Sequence, residues 1–317
     1  MSLGVRIFFI VCASLVVLCA LVFVLKLAAN GWRFPTCTEQ SHDVTEPFQS
    51  ISLETITADV TFLPTDGDSA KVVCFEEQKV KHTVSVEDGK LRIFAVDERK
   101  WYDHISLFSI KTPKITVYLP HLAYDSLSIE TNTGDVEIAG DFTFESMDIS
   151  VSTGDVTSSA CAKELIVKTS TGDISVADAS IGSLALSVST GKVNVSSVHS
   201  EGNISITVST GNSNLKDVTC QSLETKGNTG DITLENVIAS GKFSIERSTG
   251  DVRFDACDAA EIFVKTGTGD VKGSLLSEKV FLTKTSTGKI DVPSCEAGGR
   301  CEITTSTGDI RIEIKQK

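Results

Sequence analysis

The chain has few aromatic side chains, no excess of basic charge and no recognisable catalytic motif. Aromatics make up 6% of its 317 residues, while Thr, Ser and Val are abundant, a composition that suits stacked strands better than a helical core. The formal net charge is -13, which argues against a nucleic-acid partner because phosphate binding needs a basic face. No G-x-S-x-G, H-E-x-x-H or phosphate-binding glycine loop occurs, and the five histidines (His42, His82, His104, His121, His199) are scattered. Neither Cys12 nor Cys19 follows the small residues that a lipoprotein site needs.

What is present is a repeat. Ser/Asn-Thr-Gly or a close variant, mostly followed by Asp, recurs with its glycine at positions 134, 154, 172, 191, 211, 230, 250, 269, 288 and 308. The intervals are 18 to 20 residues, and a period near 20 holding two short alternating runs marks a β-solenoid, one coil per repeat. Counted from each glycine, apolar residues gather at minus 7, minus 5 and minus 3, then at plus 2, plus 4 and plus 7. The plus 2 column reads Val136, Val156, Ile174, Val193, Ser213, Ile232, Val252, Val271, Ile290 and Ile310. Period two sets such residues on one face, so stacked coils fill a bore, each buried Val or Ile contributing about 1.5–3 kcal/mol. Gly permits the positive φ of a sharp corner, and a stacked Thr column can exchange hydroxyl bonds between coils. Asx side chains can bond nearby backbone N–H groups.

The Asp column has a second reading. Asp135, Asp155 and Asp173 are consecutive, as are Asp231, Asp251 and Asp270. At about 4.8 Å apart their charges repel, and calcium between coils would relieve this. Against calcium, the paired-glycine nonapeptide of calcium β-rolls is missing and two positions of the column are lysines, Lys192 and Lys289. The expectation is a structural turn, with no metal, no cofactor and no catalytic residue.

Uniform repeat length also argues against an enzyme. Polysaccharide-cleaving β-helices roof a lateral cleft with long loops, and repeats of 18 to 20 residues leave no insertion of that size. Trp101-Tyr102-Asp103-His104 is the one cluster outside the repeat with aromatic and titratable groups together, and Trp101, Tyr102 and His104 are the candidate ligand contacts. The reading as a packed cap loop stands beside it.

Ile7 to Leu25 is a run of 19 uncharged, almost wholly apolar residues between Arg6 and Lys26. At 1.5 Å per residue it spans a hydrocarbon core of roughly 30 Å. A cleaved signal peptide is the competing reading, but no clean small-x-small site follows the run. The expected organisation is a transmembrane anchor at 1–29, a linker at 30–47, an amino-terminal β cap at 48–120 and solenoid repeats at 121–317. The coils are expected to stack in chain order, the last ending on an edge of alternating charges at Arg311, Glu313, Lys315 and Lys317. Cys161, Cys257, Cys295 and Cys301 fall in core columns, and only Cys37 with Cys74 or Cys295 with Cys301 remain as possible bridges.

The run Ile115-Thr116-Val117-Tyr118-Leu119-Pro120, followed by Leu127-Ser128-Ile129-Glu130-Thr131-Asn132-Thr133-Gly134-Asp135-Val136, resembles the bacterial "putative adhesin" β-strand repeat proteins. The resemblance covers roughly Phe48 to Lys317. It implies an all-β fold, a single-stranded β-helix with right-handed coils, about ten here, in a bacterial envelope protein, and it brings no catalytic residue. The expected function is a membrane-anchored, single-pass, extracytoplasmic scaffold or adhesin-like binding module, meeting a cell-wall glycan or envelope protein. An envelope-stress sensor is the alternative within binding proteins, and a polysaccharide-processing enzyme the alternative from another class.

Overall fold

The computed structural model describes residues 37–77, 79–98 and 112–315, together with Ser14, Val17, Leu18, Leu21 and Val22. Those five residues are helical and Val17, Leu18, Leu21 and Val22 are exposed, but the rest of the apolar run lies outside the described residues. Among the described residues no helix is long and apolar enough to cross a membrane. The anchor expected at 1–29 falls almost wholly outside the described residues.

From Ser50 onward the chain is an all-β solenoid of about nine turns, bounded by ten glycine corners. Each turn runs strand, corner, strand. The first strand is long where it meets the corner, as in Thr143–Thr153, and the second can be as short as Val156–Ser158. Neighbouring coils pair in parallel without slippage across the corner, so that Leu127, Met147, Leu165, Leu184, Ile204, Leu223, Phe243 and Ile262 stack in one column. These residues are almost fully buried and form one continuous apolar core. A second bend, invisible as a motif, follows six residues after the glycine. There Asp178, Ser197, Asp217, Asn236 and Ala256 take φ of 52 to 54° in five successive coils, a conformation that Asn and Asp tolerate better than other side chains.

The coils do not stack in chain order at either end. The strand before Gly269 pairs with Gly299–Thr307, and that strand pairs on its other side with Lys279–Thr287. After the corners the same order holds, with Ile310–Ile314 between Val271–Leu275 and Ile290–Asp291. The last coil in sequence is thus the last but one in space, and the Gly288 coil is the outer layer. This corrects the expectation that Arg311, Glu313 and Lys315 protect an open end. The physical reason lies in burial: Cys301, Ile303, Ile310 and Ile312 need covering on both sides and are buried, whereas Val280, Leu282 and Ile290 of the outer coil are exposed.

The amino-terminal end repeats the device. Its strands are β1 (Cys37–Val44), β2 (Ser50–Thr57), β3 (Asp59–Thr65), β4 (Ala70–Glu77), β5 (Val80–Glu87), β6 (Lys90–Asp97) and β7 (Lys114–Pro120). β2 lies between β6 and the first repeat strand, and β3 between β7 and Val136–Ile138, all parallel. β4 then adds antiparallel to β7, β1 to β4 and β5 to β6, closing the parallel stack. Residues 37–44, read from sequence as linker, are thus a strand. CTEQSHDV lacks apolar alternation because β1 is an outer strand whose side chains are mostly exposed.

Candidate functional site

At every glycine corner except that of the outer coil, Gly288, the glycine N–H donates to the threonine carbonyl of the next coil, as in Gly172 to Thr190 at 3.0 Å. The aspartate works along the stack. Asp135 Oδ1 accepts the N–H of Asp155 at 2.8 Å, Asp155 that of Asp173 at 2.7 Å, and Asp173 that of Lys192 at 2.7 Å. The ladder stops at Lys192, which has no acceptor to offer, and resumes at Asn212, whose Oδ1 takes the N–H of Asp231 at 2.9 Å. It continues through Asp231, Asp251, Asp270 and Asp309 to Lys289, in spatial rather than sequence order. Thus the six carboxylates weighed for calcium each hold a neighbouring backbone through one oxygen. They are set out one per coil along the axis.

Two further features of the corner were not read from sequence. Threonines at minus 3, half-buried at Thr285 and buried at Thr305, close the glycine carbonyls: Thr285 Oγ1 donates to Gly308 O at 3.0 Å and Thr305 Oγ1 to Gly269 O at 3.1 Å. Thr57-Ala58-Asp59 is an eleventh corner, with Asp59 Oδ1 accepting from Asp135 N at 3.1 Å. Thr-Ala-Asp-Val in place of Thr-Gly-Asp-Val was its signal.

Midway along the rod the repeat is broken by a buried cation. Arg247 stands at minus 3, where its neighbours in the column are Gly227 and Thr266, and it is only 2% exposed. Its Nη1 passes over Gly227 to donate to Val208 O at 2.8 Å, and its Nη2 donates to Ser213 Oγ at 3.0 Å. A Cβ on Gly227 would lie 1.8 Å from that Nη1. Ser213 is the polar exception in the plus 2 column, so three departures from the repeat form one device. Burial lowers the Arg247 pKa and the charge of Asp231 opposes the shift. Over Gly227 and Gly267, which lack side chains, a shallow groove of about 460 Å³ opens between Lys226, Glu246, Ser248 and Lys265.

The second polar cluster lies inside the cap. β4 turns Val72, Cys74 and Glu76 inward, and β5 brings Val80 and His82 to meet them. Glu76 Oε2 accepts the His82 backbone N–H at 2.6 Å and lies 3.0 Å from His82 Nδ1, while His82 Nε2 is 2.9 Å from Thr55 Oγ1. Burial pushes the Cys74 thiol up to about 12, with Glu76 adding to the shift. Burial lowers the His82 pKa against the opposing pull of Glu76. Cys74 had been read only as a possible disulfide partner. It faces Gln40, three positions along β1 from Cys37, and Cys74, Cys295 and Cys301 are free thiols, so neither expected bridge forms. Trp101, Tyr102 and His104, the ligand contacts expected from sequence, lie outside the described residues.

Fold and sites together describe a capped solenoid whose repeat motif is structural and whose departures from repeat are buried polar devices. The chain belongs to the Toastrack DUF4097 family, whose profile matches residues 48–236 and 200–317. No curated protein matches it in sequence. Among solved structures it is similar to a "putative adhesin" from Parabacteroides distasonis ATCC 8503, at 10% identity over 86% of this chain and 97% of that one, with a TM-score of 0.46. A "putative adhesin" from Bacteroides fragilis NCTC 9343 shares 15% identity over 89% of this chain and 100% of that one, with a TM-score of 0.36. A "putative lipid binding protein" from Parabacteroides distasonis ATCC 8503 shares 13% over 89% and 99%, with a TM-score of 0.32.

Proposed function

We propose that the protein is an extracytoplasmic binding module of the bacterial envelope, a right-handed β-solenoid held to the membrane by a single span at Ile7–Leu25, and not an enzyme. The supporting observation is the character of the lateral surface. Its strands expose Ser, Thr, Lys and Glu in regular rows, and the groove beside Gly227 and Gly267 is shallow, polar and unroofed. Such a surface fits a polar polymer, a cell-wall glycan or an extended segment of an envelope protein, laid along or across the coils. It is poorly suited to holding a small substrate away from water.

Full-length protein in detergent, immobilised and exposed to solubilised cell-wall and envelope fractions with and without calcium, is expected to retain a component of one of them. Ser248→Trp, at an exposed position on the rim of the groove, is expected to reduce retention about tenfold without altering the fold, the loss of roughly 1.4 kcal/mol of binding. No retention under any condition would overturn the binding reading, and retention unchanged by Ser248→Trp would move the contact off this groove.

A further inference from the structure

We propose that the amino-terminal cap binds one divalent transition-metal ion, zinc by its ligand chemistry, through Cys74 Sγ, Glu76 Oε1 and His82 Nδ1. The three side chains offer ligand atoms within 4.8 Å of one another, and all three residues are buried. Two ligands on one tetrahedral zinc lie about 3.3–3.7 Å apart given bonds of about 2.0–2.3 Å, so side-chain movements of about 1 Å close the site. A thiolate, an imidazole and a carboxylate suit zinc, whereas calcium and magnesium take oxygen ligands.

An independent observation points to a missing partner. Glu76 Oε1 is buried and has no hydrogen-bond partner, although Oε2 is held by the His82 backbone N–H. A buried carboxylate oxygen left unpaired is costly, and it belongs to the one carboxylate of the cluster. The histidine is already oriented for ligation. Nε2 lies 2.9 Å from Thr55 Oγ1 and Nδ1 3.0 Å from Glu76 Oε2, so in the tautomer whose Nε2–H donates to Thr55 a cation would take the place of the proton that Nδ1 and the carboxylate otherwise share. A metal-bound imidazole ordinarily gives its other ring N–H to a fixed acceptor, and Thr55 Oγ1 is placed to be one.

Charge and protons balance. Binding releases the Cys74 thiol proton to solvent, and thiolate plus carboxylate neutralise the dication, leaving no net charge in the end of the bore. Three protein ligands leave a fourth position for water. A groove of about 480 Å³ touches both Thr55 and Ala95, the latter opposite His82 in the β5–β6 pairing, so solvent lies one side chain away. The ion would staple β4 to β5 and, through Thr55, to β2, stiffening the cap independently of what the lateral face binds.

The test is cobalt titration of chelator-stripped full-length protein in detergent, followed by zinc competition. About one equivalent is expected to bind, with the thiolate charge-transfer band and the strong visible bands of a tetrahedral site, both bleached by zinc. Glu76→Gln and His82→Gln should each weaken binding about 100-fold or more, Cys74→Ser should remove the charge-transfer band, and Cys161→Ser should change nothing. Circular dichroism checks that each variant is folded. No saturable cobalt binding by the unaltered protein would overturn the proposal, as would a tetrahedral spectrum that survives in Cys74→Ser or His82→Gln.

Discussion

Replacing Gly191 by alanine is expected to destabilise the solenoid by more than about 4 kcal/mol, among the largest effects of a single methyl group. Two costs add. The residue has φ of +148°, and holding a side chain in such a region costs about 1–3 kcal/mol. The new Cβ would also lie 2.0 Å from Gly172 O and 2.7 Å from Gly172 C, which are backbone atoms of the adjacent corner and cannot rotate away. Relief requires the two coils to part, breaking the bonds from Gly172 N to Thr190 O and from Lys192 N to Asp173 Oδ1. Solenoid stability is largely a sum of such neighbour contacts. Gly89→Ala separates the two causes, since Gly89 also has positive φ, at +72°, but nothing lies within 4 Å of its would-be Cβ. That exchange should cost only about 1–2 kcal/mol. Equal losses in urea melts of the two variants would mean that close stacking is not what selects glycine at the corner.

Arg247→Ala should cost about 3–5 kcal/mol, because it empties a filled space and strands Ser213 and the Val208 carbonyl. The informative variant is Ser213→Val with Arg247→Met, which puts apolar side chains in place of the charged contact and keeps Gly227, where any Cβ would lie 1.9 Å from Val208 O. Since apolar replacement of a buried charged device at similar volume is often neutral or better, the double variant should be more stable than Arg247→Ala by about 1–2 kcal/mol. Were it as unstable as Arg247→Ala, the polar pairing of Ser213 with Arg247 would not be what sets these positions apart. If the groove above them is the binding surface, the double variant should fold yet lose retention, which would explain why a costly buried cation is kept.

The corner was legible because its geometry demands the same residue in every coil. A Cβ at Gly154, Gly172 or Gly191 meets the carbonyl of the coil beneath at about the same distance, and such uniform constraint writes a uniform motif. Coil order was not legible. Every coil carries the same inward columns, so the Gly288 and Gly308 coils satisfy the pattern in either position, and only faint marks set the outer one apart. Thr283 stands where Ile303 stands in the inner coil, and Lys289 stands where an aspartate would have no further coil to hold. The cap cluster left a trace in period two, since Glu76 shares the inward face of Val72 and Cys74. Its partner His82 comes from the next strand, a pairing that depends on how β4 and β5 fold together. Arg247, Gly227 and Ser213 are each visible as exceptions, but their separation in sequence, 34 residues from Ser213 to Arg247, hides that they are one contact.

The Thr-Gly-Asp motif joins neighbouring coils, and we propose that it does so without a bound cation. Asparagine keeps the Oδ1 acceptor while removing the charge, as Asn212 already does beneath Asp231. The most direct measurement is therefore the melting and envelope-fraction retention, with and without calcium, of the protein carrying Asn at 135, 155, 173, 231, 251 and 270 together. Melting and retention equal to those of the unaltered protein, and indifferent to calcium, are the predicted result. A calcium-dependent rise in melting temperature or retention that the Asn variant loses would contradict it and make the column a metal site.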